Sequence, residues 1–263
     1  MPQRLTTKRL FLFDMDGTLY LGNRLFDFTP SLLAAIRAKG GRYLFMTNNS
    51  SKSVQDYIKK LASLSIDAVY DDFITSSQAT AYYLKQHYAG KTLYVCGTRS
   101  LIAELEREGF EVTTDLDRVD VLVMGYDTEL TFRKLEDASR LLLGRDLPYI
   151  ATNPDYVCPT EFGSVPDCGS VCDMLFNVSK KRPFVIGKPS PMMPTLAMEM
   201  TGFGKEETVV IGDRIYTDVK SGLAAGVTSV LVLSGETTKE ILDASDDKPD
   251  IVLASAAEIL KYI

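Results

Sequence analysis

Four short segments concentrate the side chains that could act on a substrate. Asp14-Met15-Asp16-Gly17-Thr18 puts two carboxylates at alternate positions ahead of a glycine. The same letters build a plain turn, but neighbouring like charges are costly unless a cation neutralises them. Thr47-Asn48-Asn49-Ser50 offers a hydroxyl, amides and turn N–H groups able to hold anionic oxygens. Gly187-Lys188-Pro189 adds a cation on a tight loop. Ile211-Gly212-Asp213-Arg214-Ile215-Tyr216-Thr217-Asp218 carries carboxylates five apart around a turn into a helix, which suits one metal ligand and one group that orients it. Each segment alone is a weak signal. In this order they supply a nucleophile, an acid–base group, oxyanion donors and a magnesium cradle. Phosphoryl transfer asks for little else, because it depends mainly on positioning and charge neutralisation.

Such groups must be held by regular elements, and the hydrophobic pattern supplies candidates. Leu10 to Asp14 reads as a strand, followed by a helix from about Pro30 to Lys39 with proline near its start and Gly40-Gly41 at its end. Tyr43 to Thr47 is a second strand. A helix opened by Ser53 then lines up Val54, Tyr57, Ile58, Leu61 and Leu64 at spacings of three and four, a core stripe. After Phe73 to Thr75, the middle of the chain repeats the pattern, with strands at Thr92 to Cys96, Val119 to Met124 and Tyr149 to Thr152. Helices at Ser100 to Glu108 and Thr131 to Leu143 lie between them. The C-terminal part adds strands at Thr208 to Ile211, Thr228 to Leu233 and Asp250 to Leu253, with a helix near Thr217 to Ala225. Gly187 to Pro194 reads as a loop entering a helix. This alternation defines an α/β fold built on a parallel sheet, with the middle segment as a second, smaller α/β domain.

The remaining composition narrows the chemistry. With 263 residues, 45% of them apolar, the chain can bury a sizeable core. Its 35 acidic against 29 basic residues leave a charge of -6 and no broad basic surface, which argues against nucleic acid as a partner. No apolar run approaches membrane-spanning length and the N-terminal stretch does not read as a signal peptide, so no membrane partner and a cytoplasmic location are expected. Cys96, Cys158, Cys168 and Cys172 lack the close pairing of zinc sites and read as free thiols. His87, the only histidine, falls at the end of a helical stretch and reads as a surface residue. Nucleophile schemes that need histidine therefore have little material, and acid–base work falls to carboxylates.

The four motifs in this order resemble the haloacid-dehalogenase (HAD) superfamily, in the branch typified by p-nitrophenyl phosphatase-like and NagD-like proteins. The similarity extends over nearly the whole chain, including Gly212 to Gly222, Ala225-Gly226 and Leu233-Ser234-Gly235 through Thr237-Thr238. Ala151-Thr152-Asn153-Pro154-Asp155 resembles the family's cap-domain signature. The resemblance implies a Rossmann-like core over 1–79 and 181–263, with a C2-type α/β cap over 80–180. It implies a magnesium-dependent hydrolase of small phosphomonoesters, with Asp14 as nucleophile forming an aspartyl-phosphate and Asp16 as general acid and base. Mg2+ would be held by Asp14, the Asp16 carbonyl and Asp213, with Asp218 as an outer organiser. Thr47, Asn48 and Lys188 would bind the phosphoryl group. In the cap, Asn153, Asp155, Cys168 and Ser170 would face the substrate, a small phosphorylated metabolite. The segment Val165 to Asp173 departs from the small, Gly/Ala-rich stretch of many relatives and reads as a loop, so specificity cannot be copied from one of them. Relatives often pair through the cap, which makes a homodimer an expectation. Two alternatives use the same residues: a phosphotransferase, and a non-catalytic signalling module phosphorylated on Asp14.

Overall fold

In the computed structural model, which describes residues 2–160 and 162–263, contacts divide the chain into two units. One comprises the segment up to Thr47, Val54–Ile74 and Lys188–Ile263; the other comprises Asn48–Ser53 and Thr75–Gly187. The first unit is built on a six-stranded sheet in the order Ile251–Leu253, Thr228–Val232, Thr208–Gly212, Leu10–Phe13, Arg42–Thr47, Phe73–Thr75. The strands from Ile251–Leu253 to Arg42–Thr47 pair in parallel. Leu10–Phe13, Thr208–Gly212 and Thr228–Val232 are buried at every residue. Such continuous apolar runs are expected of strands covered on both faces. Phe11, Phe13, Phe45, Leu32, Ile36, Tyr57 and Leu61 share one core cluster, so the Tyr and Leu stripe read from the sequence packs as expected. The helix Val54–Ser63 carries it.

The second unit has its own five-stranded parallel sheet, in the order Phe184–Val185, Tyr149–Ala151, Val121–Met124, Thr92–Cys96, Glu111–Val112. Helices Ser76–His87, Arg99–Arg107 and Phe132–Gly144 begin at Thr75, Thr98 and Thr131, whose hydroxyls accept the N–H three residues on. Because Phe184–Val185 pairs with Tyr149–Ala151, the second unit runs on to Gly187, beyond the boundary at residue 180 expected from sequence. At its other end it starts at Thr75, the capping residue of its first helix.

The segment Val165 to Asp173 is not a loop. Gly163–Pro166 pairs antiparallel with Val157–Thr160, and Asp167 caps the helix Cys168–Ser179 with its carboxylate on the Cys168 N–H. Periodicity missed this because Gly169, Ser170 and Asp173 dilute the apolar face formed by Cys168, Val171, Cys172 and Leu175. Two-residue strands, such as the hairpin of Tyr20–Leu21 with Arg24–Leu25, are too short to give an alternation signal. Among the described residues no helix is long and apolar enough to cross a membrane.

Residues Asn48–Ser53 are stitched into the second unit by polar contacts. The fully buried Ser50 hydroxyl accepts from the Tyr126 N–H at 2.8 Å and lies 2.9 Å from the Thr152 hydroxyl. Ser50→Ala should strand both groups and lower stability by about 1–3 kcal/mol in denaturant titration.

Candidate active site

Strand register brings the chemistry-bearing residues to one end of the first unit's sheet. Phe13 sits level with Ile211 on one side and Phe45 on the other. Asp14, Gly212 and Met46 therefore follow at the same height, and the Asp14 N–H donates to the Ile211 carbonyl at 2.8 Å. From Leu10–Phe13 the chain builds outward to one side through Arg42–Thr47 and later to the other through Thr208–Gly212. Open parallel sheets bind ligands at the carboxyl ends of strands flanking such a reversal.

Lys188 is the hub. Its ammonium donates to Asp14 Oδ1 at 2.7 Å, Asp218 Oδ1 at 2.6 Å and the Met46 carbonyl at 3.2 Å. Lys188 and Asp218 are almost fully buried, whereas the Asp14 side chain keeps 18% of its surface exposed. Burial by itself would push the lysine toward its neutral form. The charges of Asp14 and Asp218 outweigh it, raising the lysine's pKa and keeping it protonated.

Asp218 reaches this position through local backbone geometry. Ile215–Val219 forms a π-helical turn, in which the Asp218 and Val219 N–H groups both donate to the Arg214 carbonyl. The second Asp218 oxygen accepts from the Arg214 N–H at 3.1 Å. Turns of this kind recur where a helix must re-aim a side chain. The helix expected near Thr217 begins only at Lys220, after this wider turn.

Asp14, Asp213 and Asp218 have carboxylate oxygens within 4.8 Å of one another. Three carboxylates against the Lys188 ammonium leave a formal excess of two negative charges. Asp213 bears the strain: burial first, then Asp14 and Asp218, push its carboxyl up to about 7. Its Oδ2 accepts the Glu236 N–H at 2.6 Å, while its buried Oδ1 has no hydrogen-bond partner among the described residues. An orphaned oxygen beside surplus negative charge is the environment that a divalent cation relieves, so the donor set fits such an ion. Both oxygens of Asp218 already have partners, which suits the orienting role expected for it. Asp16 lies outside the cluster; its exposed carboxylate accepts the Gly22 N–H at 3.3 Å.

The other expected contacts divide differently. Thr47 ends the strand beside Leu10–Phe13 and is buried. The Asn48 side-chain amide belongs to the second unit and donates to both Asp155 oxygens, at 3.1 and 3.3 Å. The Asn48 carbonyl accepts from the Ser76 hydroxyl and from the fully buried Asn153 amide. Cys168, expected on a substrate-facing loop, instead packs in the second unit's core with its thiol near the Met124 carbonyl and Cys172. Ser170 donates to the Tyr156 carbonyl at 2.6 Å. These bonds and contacts hold the Asn153–Cys172 region within its own unit. The sequence motifs did not reveal the part played by Ser234 to Thr237. Here the Ser234 hydroxyl donates to the Gly17 carbonyl, and the Glu236 and Thr237 N–H groups donate to Asp213. Gly235 was the available clue, since a Cβ there would overlap the Asp213 carboxylate.

Comparison with known proteins agrees with this geometry. Residues 11–111 match the model of the haloacid dehalogenase-like hydrolases, and residues 185–259 match the HAD-hydrolase-like model. The acid sugar phosphatase of Staphylococcus aureus (strain USA300) is 33% identical over 232 residues, or 88% of this chain and 89% of that protein. The 4-nitrophenylphosphatase structure from Thermotoga maritima matches with a TM-score of 0.93 and 37% identity, covering 98% of each chain. NagD from E. coli K-12 matches with a TM-score of 0.87 and 31% identity, covering 95% of this chain and 98% of that one. The chain belongs to the haloacid-dehalogenase-like hydrolases. Its parallel-sheet core and inserted α/β unit are those of the NagD-like, p-nitrophenyl phosphatase-like branch, and it is a phosphatase of that branch.

Two substitutions test the charge balance. Lys188→Ala leaves the buried Asp218 and the partly exposed Asp14 without their cation and should cost about 3–5 kcal/mol in denaturant titration, part of which Asp218→Asn restores in the double variant. Asp213→Asn keeps an acceptor for Glu236 but removes the repelling charge. In the presence of chelator it should raise stability by about 1–2 kcal/mol in thermal denaturation, while phosphatase activity is lost.

Proposed function

We propose that the chain hydrolyses small phosphomonoesters through a phosphoryl group carried transiently on Asp14, with magnesium as the cation. The observation that carries this reading is the Asp14 carboxylate itself: partly open to solvent, held by Lys188 and set at 4.8 Å or less from the carboxylates of Asp213 and Asp218. A nucleophile that must approach an anionic phosphate needs its charge compensated at one oxygen and free at the other. Lys188 supplies that compensation at Oδ1.

In this reading, Asp14 attacks phosphorus and the ester P–O bond breaks. The leaving oxygen takes a proton from Asp16, whose side chain is exposed. Asp16 then accepts a proton from the water that attacks the phosphoryl group. Inorganic phosphate departs and the Asp14 carboxylate is regenerated. Mg2+ held by Asp14, the Asp16 carbonyl and Asp213 would neutralise the phosphoryl charge. Lys188 would fix the Asp14 oxygen throughout, and Thr47, at its strand end, would donate to the phosphoryl oxygens. The Asn48 amide is engaged by Asp155 within the second unit.

A sugar phosphate is the favoured substrate class. The Staphylococcus aureus relative is named an acid sugar phosphatase, and the small uncharged remainder of such a substrate needs no basic surface. The reaction is tested with a panel of sugar phosphates, nucleoside monophosphates, phosphoglycolate and p-nitrophenyl phosphate in the presence of magnesium. Phosphate release should fall at least about a thousandfold in Asp14→Asn, and Asp16→Ala should slow release of alkyl more than nitrophenyl leaving groups. Full turnover by Asp14→Asn, or no release from any member of the panel, would sink the reading. Labelled water should enter the phosphate product, whereas a phosphotransferase would pass the group to an organic acceptor.

A further inference from the structure

Asp213 accepts backbone N–H groups from a loop that is held by side chains none of the phosphoryl-transfer steps uses. Arg214 Nε lies 2.8 Å from Glu236 Oε2, and the Tyr216 hydroxyl donates to Glu236 Oε1 at 3.0 Å. The same Glu236 donates its backbone N–H to Asp213 Oδ2 at 2.6 Å, and the following Thr237 N–H donates to the Asp213 carbonyl. The loop after Thr228–Val232 is thus tied on both sides to the turn that begins at Asp213. Gly235 and Gly17 close over the carboxylate so tightly that a side chain at either would collide with it. The result is an Asp213 with one oxygen fixed by the protein and the other, Oδ1, buried and unbonded among the described residues.

From this arrangement we infer that Arg214, Tyr216 and Glu236 form a positioning clamp that sets the Asp213 carboxylate for cation binding. The inference rests on the proposed divalent cation at Asp14 and Asp213. A fixed carboxylate binds a small hard cation more tightly than a mobile one, because its orientation does not have to be frozen on binding. Partners that orient metal ligands in this way are typically worth about ten- to a hundredfold in metal affinity. The bonds are partly exposed: the Arg214 side chain keeps 24% of its surface and that of Glu236 44%. As a bare surface ion pair they would add little to stability. Their effect is instead transmitted through the Glu236 backbone N–H, which sits directly on Asp213.

Charge and geometry make opposite predictions for Arg214. If the cluster acts only through its field, removing the guanidinium makes the site more negative and Mg2+ binds more tightly. If it acts as a clamp, Arg214→Met removes one of the two side-chain partners of Glu236, loosens the N–H bond to Asp213 and weakens Mg2+ binding. The measurement is calorimetric titration of the full-length chain with magnesium chloride, without substrate, repeated with manganese chloride.

Arg214→Met and Glu236→Ala should each raise the dissociation constant about tenfold, and Tyr216→Phe by a few-fold, with the thermal midpoint of the metal-free chain nearly unchanged. In assays, the apparent magnesium constant should rise while turnover at saturating magnesium stays within about threefold of the unsubstituted chain. Unchanged or tighter binding in Arg214→Met overturns the clamp; if that variant fails to fold, Tyr216→Phe decides, and unchanged affinity there overturns it. Absence of any cation binding by the unsubstituted chain sinks the cation reading, and the clamp falls with it.

Discussion

One ammonium placed between two carboxylates governs this active site. Lys188 is stripped of nearly all its water, which by itself would favour the neutral amine, and it stays charged because Asp14 and Asp218 are each within 2.7 Å. The carboxylates depend on it equally. Without the lysine, Asp218 would be a buried anion beside two others at the ends of parallel strands. The arrangement constrains the chain far beyond the three residues. The loop carrying Lys188 must return the chain to the first unit at that point, and Leu10–Phe13 and Thr208–Gly212 must run in register so that Asp14 and Asp213 emerge at one height. The helix after Asp213 must open with a π turn, so that Asp218 points at the lysine while its other oxygen meets the Arg214 N–H.

The compensation is deliberately incomplete in sign. After Lys188 is counted, the acidic cluster still carries surplus negative charge, concentrated on an Asp213 whose buried Oδ1 has no partner among the described residues and whose carboxyl is pushed up to about 7. Such a group weakens the folded state of the metal-free protein, a cost natural folds tolerate at sites of function. The surrounding loops keep it from relaxing: Gly17 and Gly235 press against the carboxylate, and the Glu236 N–H holds one oxygen. Local destabilisation is thereby held in a cluster whose donor set fits a divalent cation.

The second unit shows a different economy. Polar residues that resemble a substrate-reading set are consumed in holding its own segments together. Asn48 binds Asp155, Asn153 binds the Asn48 backbone, and Ser50 serves both Tyr126 and Thr152. Buried polar groups in a low-dielectric interior must find partners, and the peptide Asn48–Ser53 provides them. Cys168 and Cys172 face the core of the same unit, where their thiols pack with Tyr149 and Leu175.

The sequence by itself determined the α/β class and most strands, and it singled out the candidate site residues. Strands buried on both faces are written as unbroken apolar runs, and the motif residues follow those runs directly, so both are local properties of the chain. Asp14, Lys188 and Asp213 could be singled out because the four motifs occur in one order along the chain, although each motif alone is a weak signal. Only the tertiary structure decided which groups touch. Lys188 and Asp14 are 174 residues apart, and nothing local states that one ammonium would bridge Asp14 and Asp218. Asn48 and Asp155 likewise meet through folding, which turned an expected phosphate ligand and an expected substrate contact into each other's partners. The clamp from Glu236 to Asp213 was hidden for the same reason, since it acts through a backbone N–H that any residue could supply. Hydrogen bonds made by the main chain carry no signature in residue type; they become visible only when the fold has placed donor and acceptor together.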